Sequence, residues 1–232
     1  IGLEVPLFNI RAIPNPDLRP ETSDGFETGL RLTGSPVALT ASVFLTEYGD
    51  FIESKVNLGV DPATGVTLFQ SQNVAEARIY GAEFDARVDG SAWSTRLQGW
   101  SGRLAGSWTR GEDLTRDVPL NSIDPPRLVL GMRYDAPSTR WGSELALTAV
   151  EAQREVDRSR ADLYRTDGYA TLDWLANVNI TPRLRLNIGL FNLTDTEYIE
   201  WSDVRGRVAD DPLVPYYTRA GFNASASLRY DF

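Results

Sequence analysis

Charged side chains alternate with apolar ones in the segment 74–88, and this spacing limits the chemistry open to them. Glu83, Asp85 and Arg87 fall on one side of a period of two, while Phe84 and Ala86 fall on the other. A dry protein core and lipid both reject such a row, because burying unpaired charge is costly. We therefore expect the charged row to line a hydrated interior.

Histidine and cysteine are both absent from the 232-residue sequence. The commonest general base, the Ser-His-Asp triad, the thiol nucleophile and the thiolate metal site are therefore unavailable. The net charge of -9 also disfavours nucleic acid, since phosphate binding requires clustered lysine and arginine. We predict that the chain is not an enzyme, has no intrinsic metal or cofactor, and does not bind nucleic acid.

The same period of two recurs along the chain and predicts nine β-strands. The last of them, GFNASASLRYDF, places Leu228, Tyr230 and Phe232 on one face and Arg229 on the other. Arg133 and Arg185 lie on the polar faces of two earlier strands. The predicted strands cover 23–33, 37–48, 74–88, 92–108, 127–136, 140–152, 168–180, 183–192 and 221–232.

Linkers between these strands alternate between short and long, the long ones being 49–73, 109–126, 153–167 and 193–218. This alternation is typical of outer-membrane barrels, which have tight periplasmic turns and large outside loops. Aromatic residues also tend towards strand ends, as in membrane girdles. The predicted fold class is all-β, an antiparallel transmembrane β-barrel. A soluble β-rich binding module remains the alternative, although a sandwich would not make every second loop long.

Five segments resemble the C-terminal barrel half of TonB-dependent outer-membrane receptors. They are NPDLRPETSDGFETGLR at 15–31, RIYGAEFDARV at 78–88, PLNSIDPPRLVLGMRYD at 119–135, FNLTDTEYIEWSDVRG at 191–206 and the terminal LRYDF. The resemblance implies a plugged barrel of about 22 strands in the bacterial outer membrane, of which residues 1–232 form the last nine. The plug domain and earlier strands are then expected upstream of Ile1.

The resemblance also implies partners and a cargo. The expected partners are the upstream plug domain and remaining barrel strands, the TonB complex of the inner membrane, the barrel-assembly machinery acting on the C-terminal strand, and outer-membrane lipid. NPDL at 15–18 with WSDVRG at 201–206 is most similar to haem and haemoglobin receptors, which implies haem or another iron chelate as transported ligand. A ferric siderophore, cobalamin or an oligosaccharide is the alternative cargo.

Receptors of the haem branch place a histidine near the NPDL-type box, but residues 1–14 contain none. A tyrosine is an alternative haem ligand. The expected ligand contacts on outside loops are Asn15, Pro16, Asp17, Leu18, Tyr48, Tyr164, Trp201, Tyr216 and Tyr217. The residues expected to face the lumen and plug are Glu83, Asp85, Arg87, Arg133, Arg185 and Arg229.

Overall fold

The computed structural model describes residues 3–5, 10–159 and 161–232, and their regular structure is almost entirely β-strand. The strands are β1 (Leu3–Val5), β2 (Ile10–Ala12), β3 (Thr22–Leu32), β4 (Val37–Val60), β5 (Thr67–Asp89), β6 (Trp100–Asp113), β7 (Val118–Pro119), β8 (Arg127–Asp135), β9 (Trp141–Val150), β10 (Tyr169–Thr181), β11 (Leu184–Phe191) and β12 (Asn223–Tyr230). One short helix, α1 (Trp201–Val204), lies between β11 and β12. In the ranges described, no helix has the length and apolar character needed to cross a membrane.

Nine of the strands form one continuous antiparallel wall. Its spatial order is β3, β4, β5, β6, β8, β9, β10, β11 and β12, each strand pairing with the next. The two-residue β7 pairs with the end of β6, and β2 pairs in parallel with the start of β5. The predictions of nine wall strands and of antiparallel pairing between chain neighbours are confirmed.

Cross-strand register assigns every wall residue to one of two faces, because directly opposed residues share a face. Leu30 opposes Ala41, Ala41 opposes Phe84, and Phe84 and Leu128 both oppose Gly106. On this apolar face large side chains stay exposed, with Phe26 at 67% and Leu228 at 65%. An uncovered apolar surface spread across a whole sheet indicates contact with lipid.

Aromatic side chains lie at both ends of the apolar face. Near the short turns, the ring centroids of Trp100 and Tyr134 are 5.0 Å apart and those of Tyr134 and Trp141 are 5.1 Å apart. Towards the long loops, Tyr80 and Trp108 make an edge contact at 5.8 Å. These two groups match the aromatic belts found where a barrel meets the membrane interfaces.

The segment 49–73 differs from its prediction as a loop. β4 continues to Val60 and β5 starts at Thr67, so most of the segment is a long hairpin. The register shifts between Glu53 and Val56, and the backbone φ is positive at Asp50 and Lys55. Such bulges change the face to which later residues point, and this breaks the period of two on which the prediction depended.

The start of β6 also differs from the prediction. The strand was expected from residue 92, but residues 90–92 and 95–97 form 3₁₀ turns and β6 begins at Trp100. Asp89 and Ser94 accept hydrogen bonds from backbone N–H groups at the start of these turns. Arg96 therefore lies in a capped turn and not on a membrane-facing strand.

Candidate functional site

Charged residues on the polar face of the wall are paired with one another. The guanidinium of Arg103 donates two hydrogen bonds to Asp85, at 2.9 and 2.5 Å, and Arg87 lies 3.4 Å from the same carboxylate. Glu83 is exposed on the same face. The register places Arg103 on the face opposite the apolar belt. Glu83, Asp85 and Arg87 lie on the same polar face, as predicted.

A second ion-pair network lies closer to the short turns. Arg133 binds Asp135 at 2.6 Å and Glu144 at 3.3 Å, and it also reaches Asn177 at 3.4 Å. Gly142 leaves room for this network, because a Cβ there would lie 2.5 Å from an Asp135 oxygen. The charges at this end of the wall are therefore paired across neighbouring strands.

The two remaining predicted wall arginines also point to the polar face and find local partners. Arg185 donates to Asn179 at 2.8 Å, and Arg229 donates to Asp231 at 2.9 Å. Both lie near the short-turn ends of their strands. Their contact with a plug stays a prediction.

The segments beyond the wall pack together, and we call residues 49–73, 114–126, 151–159, 161–167 and 192–222 the cap. One hydrophobic cluster combines Val156, Leu163, Trp201, Val204 and Val214. A second combines Phe51, Val74, Ala77 and Leu120. Residues far apart in sequence thus share two small cores, so the long loops form one folded cap at this end of the wall.

Glu53 lies at the junction of three segments of the cap. It is 6% exposed, and one carboxylate oxygen accepts a hydrogen bond from Ser122 at 3.0 Å. Arg205 donates to Ser54 at 3.1 Å, and its positive charge acts on Glu53. Burial raises the pKa of Glu53, while Ser122 and Arg205 oppose the rise. Glu53 Oε1 and Arg205 Nε have no hydrogen-bond partner in the part of the chain that the structure describes.

A cavity of about 210 Å³ adjoins this junction, and an arginine bridge forms part of its lining. Arg116 lies 2.5 Å from the fully buried Asp113 and 3.0 Å from Asp157. Burial tends to raise the pKa of Asp157, but hydrogen bonds from Ser159 and the charge of Arg116 hold it below the ordinary value. The bridge joins the end of β6 to the segment 151–167.

The NPDL box at 15–18 is tied to the long hairpin. Asn15 donates to the Ser71 carbonyl at 3.0 Å and accepts from the Asp17 N–H at 3.1 Å. Pro16 and Asp17 are exposed, and Leu18 is half-buried. The box therefore fixes the chain against β5 and leaves two of its four residues open to solvent.

The WSDVRG stretch at 201–206 forms a core of the cap. Trp201 is 2% exposed, and its indole N–H donates to the Asn121 carbonyl at 2.9 Å. Gly206 has φ of +85°, and a Cβ there would lie 2.7 Å from the Phe69 ring. This placement gives Trp201 a packing role, and its assignment as a ligand contact stays a prediction.

The FNLTDTEY motif at 191–198 organises the last three strands. The buried Asn192 donates to the carbonyls of Thr196 and Ala220 at 2.9 and 3.3 Å, and it accepts from the Thr196 N–H at 2.9 Å. Asp195 accepts from the Phe222 N–H at 2.7 Å. The motif closes the connection between β11 and β12 through side-chain to backbone bonds.

The four predicted tyrosines occupy different environments. Tyr48 is half-buried and meets Phe51 edge-on at 5.1 Å, and Tyr164 packs against the Trp201 cluster. The Tyr217 hydroxyl accepts a bond from Arg207 at 2.5 Å. Tyr216 is 77% exposed. The structure does not bring these rings together at one point.

Sequence reasoning missed a stacked pair, Tyr169 and Tyr198, whose ring centroids are 4.1 Å apart with planes 25° from parallel. Tyr198 belongs to the FNLTDTEY motif, and Tyr169 has the odd-numbered parity of the polar residues of β10. That parity is the feature of the sequence that predicts the polar face for Tyr169. The buried position of Glu53 could not be predicted from the sequence, because the bulges near it break the period of two that would assign its face.

An antiparallel wall with an exposed apolar belt, a charged opposite face and packed loops at one end defines a membrane β-barrel of the receptor type. The family model described as TonB dependent receptor-like, beta-barrel, matches residues 4–193. The chain therefore belongs to the TonB-dependent receptor family, within the receptor's β-barrel.

Curated relatives are similar in sequence to this chain across most of its length. The "Probable hemoglobin and hemoglobin-haptoglobin-binding protein 4" of Haemophilus influenzae is 27% identical over 233 residues, covering 91% of this chain and 23% of the relative. The "Hemoglobin-haptoglobin utilization protein B" of Neisseria meningitidis is 28% identical, covering 86% of this chain and 28% of the relative. The chain spans about a quarter of the length of these relatives.

Solved structures share the fold at lower identity. The "Copper transporter OprC" matches 94% of this chain and 31% of its own with a TM-score of 0.74 at 20% identity. The siderophore receptor PirA from Acinetobacter baumannii matches 96% of this chain and 33% of its own with a TM-score of 0.67 at 19% identity. At such identities the likeness concerns the fold alone.

These findings confirm the predicted antiparallel membrane barrel, the outer-membrane location and the family. The family consists of transport receptors, which confirms the prediction that the chain is not an enzyme. Receptors of this family work with a plug domain and TonB. The total of 22 strands, the division into domains and the individual site residues stay predictions.

Proposed function

We propose that this chain forms part of the wall and the outer mouth of a receptor that imports haem, including haem taken from a haemoglobin-class carrier. The main support is that relatives named for haemoglobin binding or haemoglobin-haptoglobin utilization match 86–91% of the chain. Matches of that extent include the cap as well as the wall. A likeness confined to the strands would favour the barrel alone.

The polar face and the cap have separate tasks in this proposal. The polar face gives the plug domain a hydrated wall whose charges, such as Arg103 with Asp85, are already paired. The cap holds exposed residues such as Tyr216 on a folded support. The remaining barrel strands, outer-membrane lipid and the assembly machinery acting on β12 complete the proposed set of partners.

Haem is a cargo in this proposal and not a resident cofactor. Because residues 1–232 contain no histidine or cysteine and their one methionine, Met132, lies on the apolar face, tyrosine is the iron ligand that this chain could supply, and a histidine ligand would come from elsewhere. Tyr216 is the exposed candidate among the predicted tyrosines. Tyr217 is held by Arg207 and would have to break that contact to bind iron.

The test is haem binding by the full-length receptor in isolated outer membranes. Haemin is titrated and the Soret band is recorded, and capture of haemoglobin by the same membranes is measured. A saturable Soret change that requires the receptor gene is expected. Membranes that bind a ferric siderophore or cobalamin saturably but show no Soret change would refute haem as the cargo.

A different metal chelate is the second candidate. Proteins with this fold include one named as a copper transporter and one named as a siderophore receptor. Residues 1–232 also contain no histidine, the ligand most often used for haem iron. Uptake assays with ferric siderophores in a receptor-deleted strain and its complemented partner separate this candidate from haem.

A further inference from the structure

The stacked pair Tyr169 and Tyr198 lies on the polar face of the wall, at the end nearest the cap. Tyr169 opposes Val150 and Val150 opposes Arg127, so all three share that face. The same row continues through Ser107 to Glu83. The interface aromatics Tyr80 and Trp108 lie on the apolar face instead. The pair is therefore not part of a lipid-facing girdle.

A recess of about 310 Å³ opens beside Tyr198. Phe191, Arg219 and Asn223 contribute to its lining, together with Tyr198. The backbone of Tyr198 is fixed, because its carbonyl accepts from the Arg219 N–H at 2.9 Å. Both tyrosines of the pair are half-buried, so each keeps an accessible edge. The recess offers a rigid aromatic border next to open space.

Most charges around the recess already have partners. Arg219 binds Glu200 at 2.7 Å and Asp203 at 2.9 Å, and Asp173 accepts from the Asn192 N–H at 2.8 Å. Arg127 does not line this recess but borders a separate hollow with Glu83 and Ser107, and its exposed guanidinium makes no hydrogen bond or ion pair with any residue that the structure describes. Burial raises the pKa of Tyr198, and the charge of Arg127 acts in the opposite direction. Arg127 is thus a cation free to bind an incoming anion.

We propose that Tyr169, Tyr198 and Arg127 form a binding site for a planar aromatic anion at the mouth of the barrel. The ring edges contact the flat part of the ligand, and the guanidinium binds its carboxylate. The inference deepens the proposed function, because haem is a flat porphyrin that carries two carboxylates. A ferric catecholate also presents aromatic rings and negative charge, but its charge lies on phenolate oxygens around an octahedral iron, and it is tested separately.

The experiment measures dissociation constants for the full-length receptor in outer membranes. The probes are haemin, a porphyrin dimethyl ester that lacks free carboxylates, and a ferric catecholate. The variants are Tyr198→Leu, Tyr198→Phe, Arg127→Gln and Arg127→Lys. Arg140→Gln and Tyr134→Leu are the matched controls, since both residues lie at the short-turn end. Heat-modifiable migration on gels confirms that every variant forms a barrel.

Tyr198→Leu is expected to weaken haemin binding about fivefold, the scale of one aromatic contact, while Tyr198→Phe keeps it. Arg127→Gln is expected to weaken haemin binding by a similar factor and to leave the dimethyl ester unchanged. Arg127→Lys should retain most of the haemin affinity.

Wild-type affinity for haemin in both Tyr198→Leu and Arg127→Gln would overturn the inference while leaving the proposed function intact. Equal losses for haemin and the dimethyl ester in Arg127→Gln would overturn the carboxylate contact. If the wild-type receptor binds no haemin, the proposed function fails. The site is then judged on the ferric catecholate, for which the same two variants must lose affinity.

Discussion

Replacing Trp201 by alanine should open the cap while leaving the wall intact. The indole is 2% exposed in the cluster with Val156, Leu163 and Val214. Removing roughly 200 Å² of buried apolar surface at about 25 cal/mol/Å² costs about 5 kcal/mol as an upper limit. Comparable substitutions in protein cores cost about 3–5 kcal/mol. The Asn121 carbonyl also loses its donor.

Hydrogen exchange of the full-length receptor in membranes measures this effect by region. A loss of about 3 kcal/mol raises the local opening constant by roughly two orders of magnitude. Faster exchange is therefore expected in 114–126, 151–159 and 192–222, with β8 to β11 unchanged. Trp201→Phe retains most of the packing and should give a smaller rise. Trp93→Ala, which changes a residue 67% exposed at the opposite end, is the control.

Exchange in the cap of Trp201→Ala within threefold of wild type would refute a packing role for this side chain. A second result separates packing from ligand contact. If Trp201→Ala loses haemin affinity while cap exchange is unchanged, Trp201 contacts the ligand directly. If exchange rises and haemin affinity falls together, the loss of binding follows from the opened cap.

Three further predictions concern other sites. Because burial raises the pKa of Glu53, the packed cap should gain protection as the pH falls towards the ordinary glutamate range, and Glu53→Gln should remove that gain in hydrogen exchange measured against pH. Gly142→Ala places a Cβ 2.5 Å from Asp135 and should cost about 1–3 kcal/mol, lowering the temperature at which heat-modifiable migration is lost. Gly102→Ala, whose nearest neighbour would be 4.0 Å away, should be close to neutral. Asn192→Ala should cost about 2–3 kcal/mol through its three lost backbone bonds, seen as a lower urea midpoint for the folded barrel. A wild-type midpoint for Asn192→Ala, or an equal effect of the two glycine variants, would contradict the corresponding contact.

The strands of the wall could be predicted because the environment of each residue depends on its position in a period of two. A residue such as Leu128 must face lipid and its neighbour Arg127 must not, so alternation alone assigns the face and the strand. Tight turns and prolines then set the ends. The same rule identified Glu83, Asp85 and Arg133 as polar-face residues, and register agrees with it.

The cap was not predictable because its contacts join distant segments. Glu53 meets Ser122 across 69 residues, and Trp201 meets Asn121 across 80. No periodic pattern encodes such pairs, and the bulges near Asp50 and Lys55 disrupt the one pattern that was present. The WSDVRG resemblance predicts Trp201 as a ligand contact, but only the packing shows that the indole is enclosed.

The long β4–β5 hairpin extends well beyond the mouth of the barrel. Beyond Tyr48, β4 continues for roughly 12 residues, or about 40 Å of extended chain. Its end carries Val60, which is 61% exposed, while Tyr169 lies at the level of the wall. A carrier held at the hairpin end would keep its haem far from the mouth. Capture of the carrier and entry of its cargo would then be successive events with separate rate constants, so a variant at the hairpin end can slow the first and leave the second unchanged.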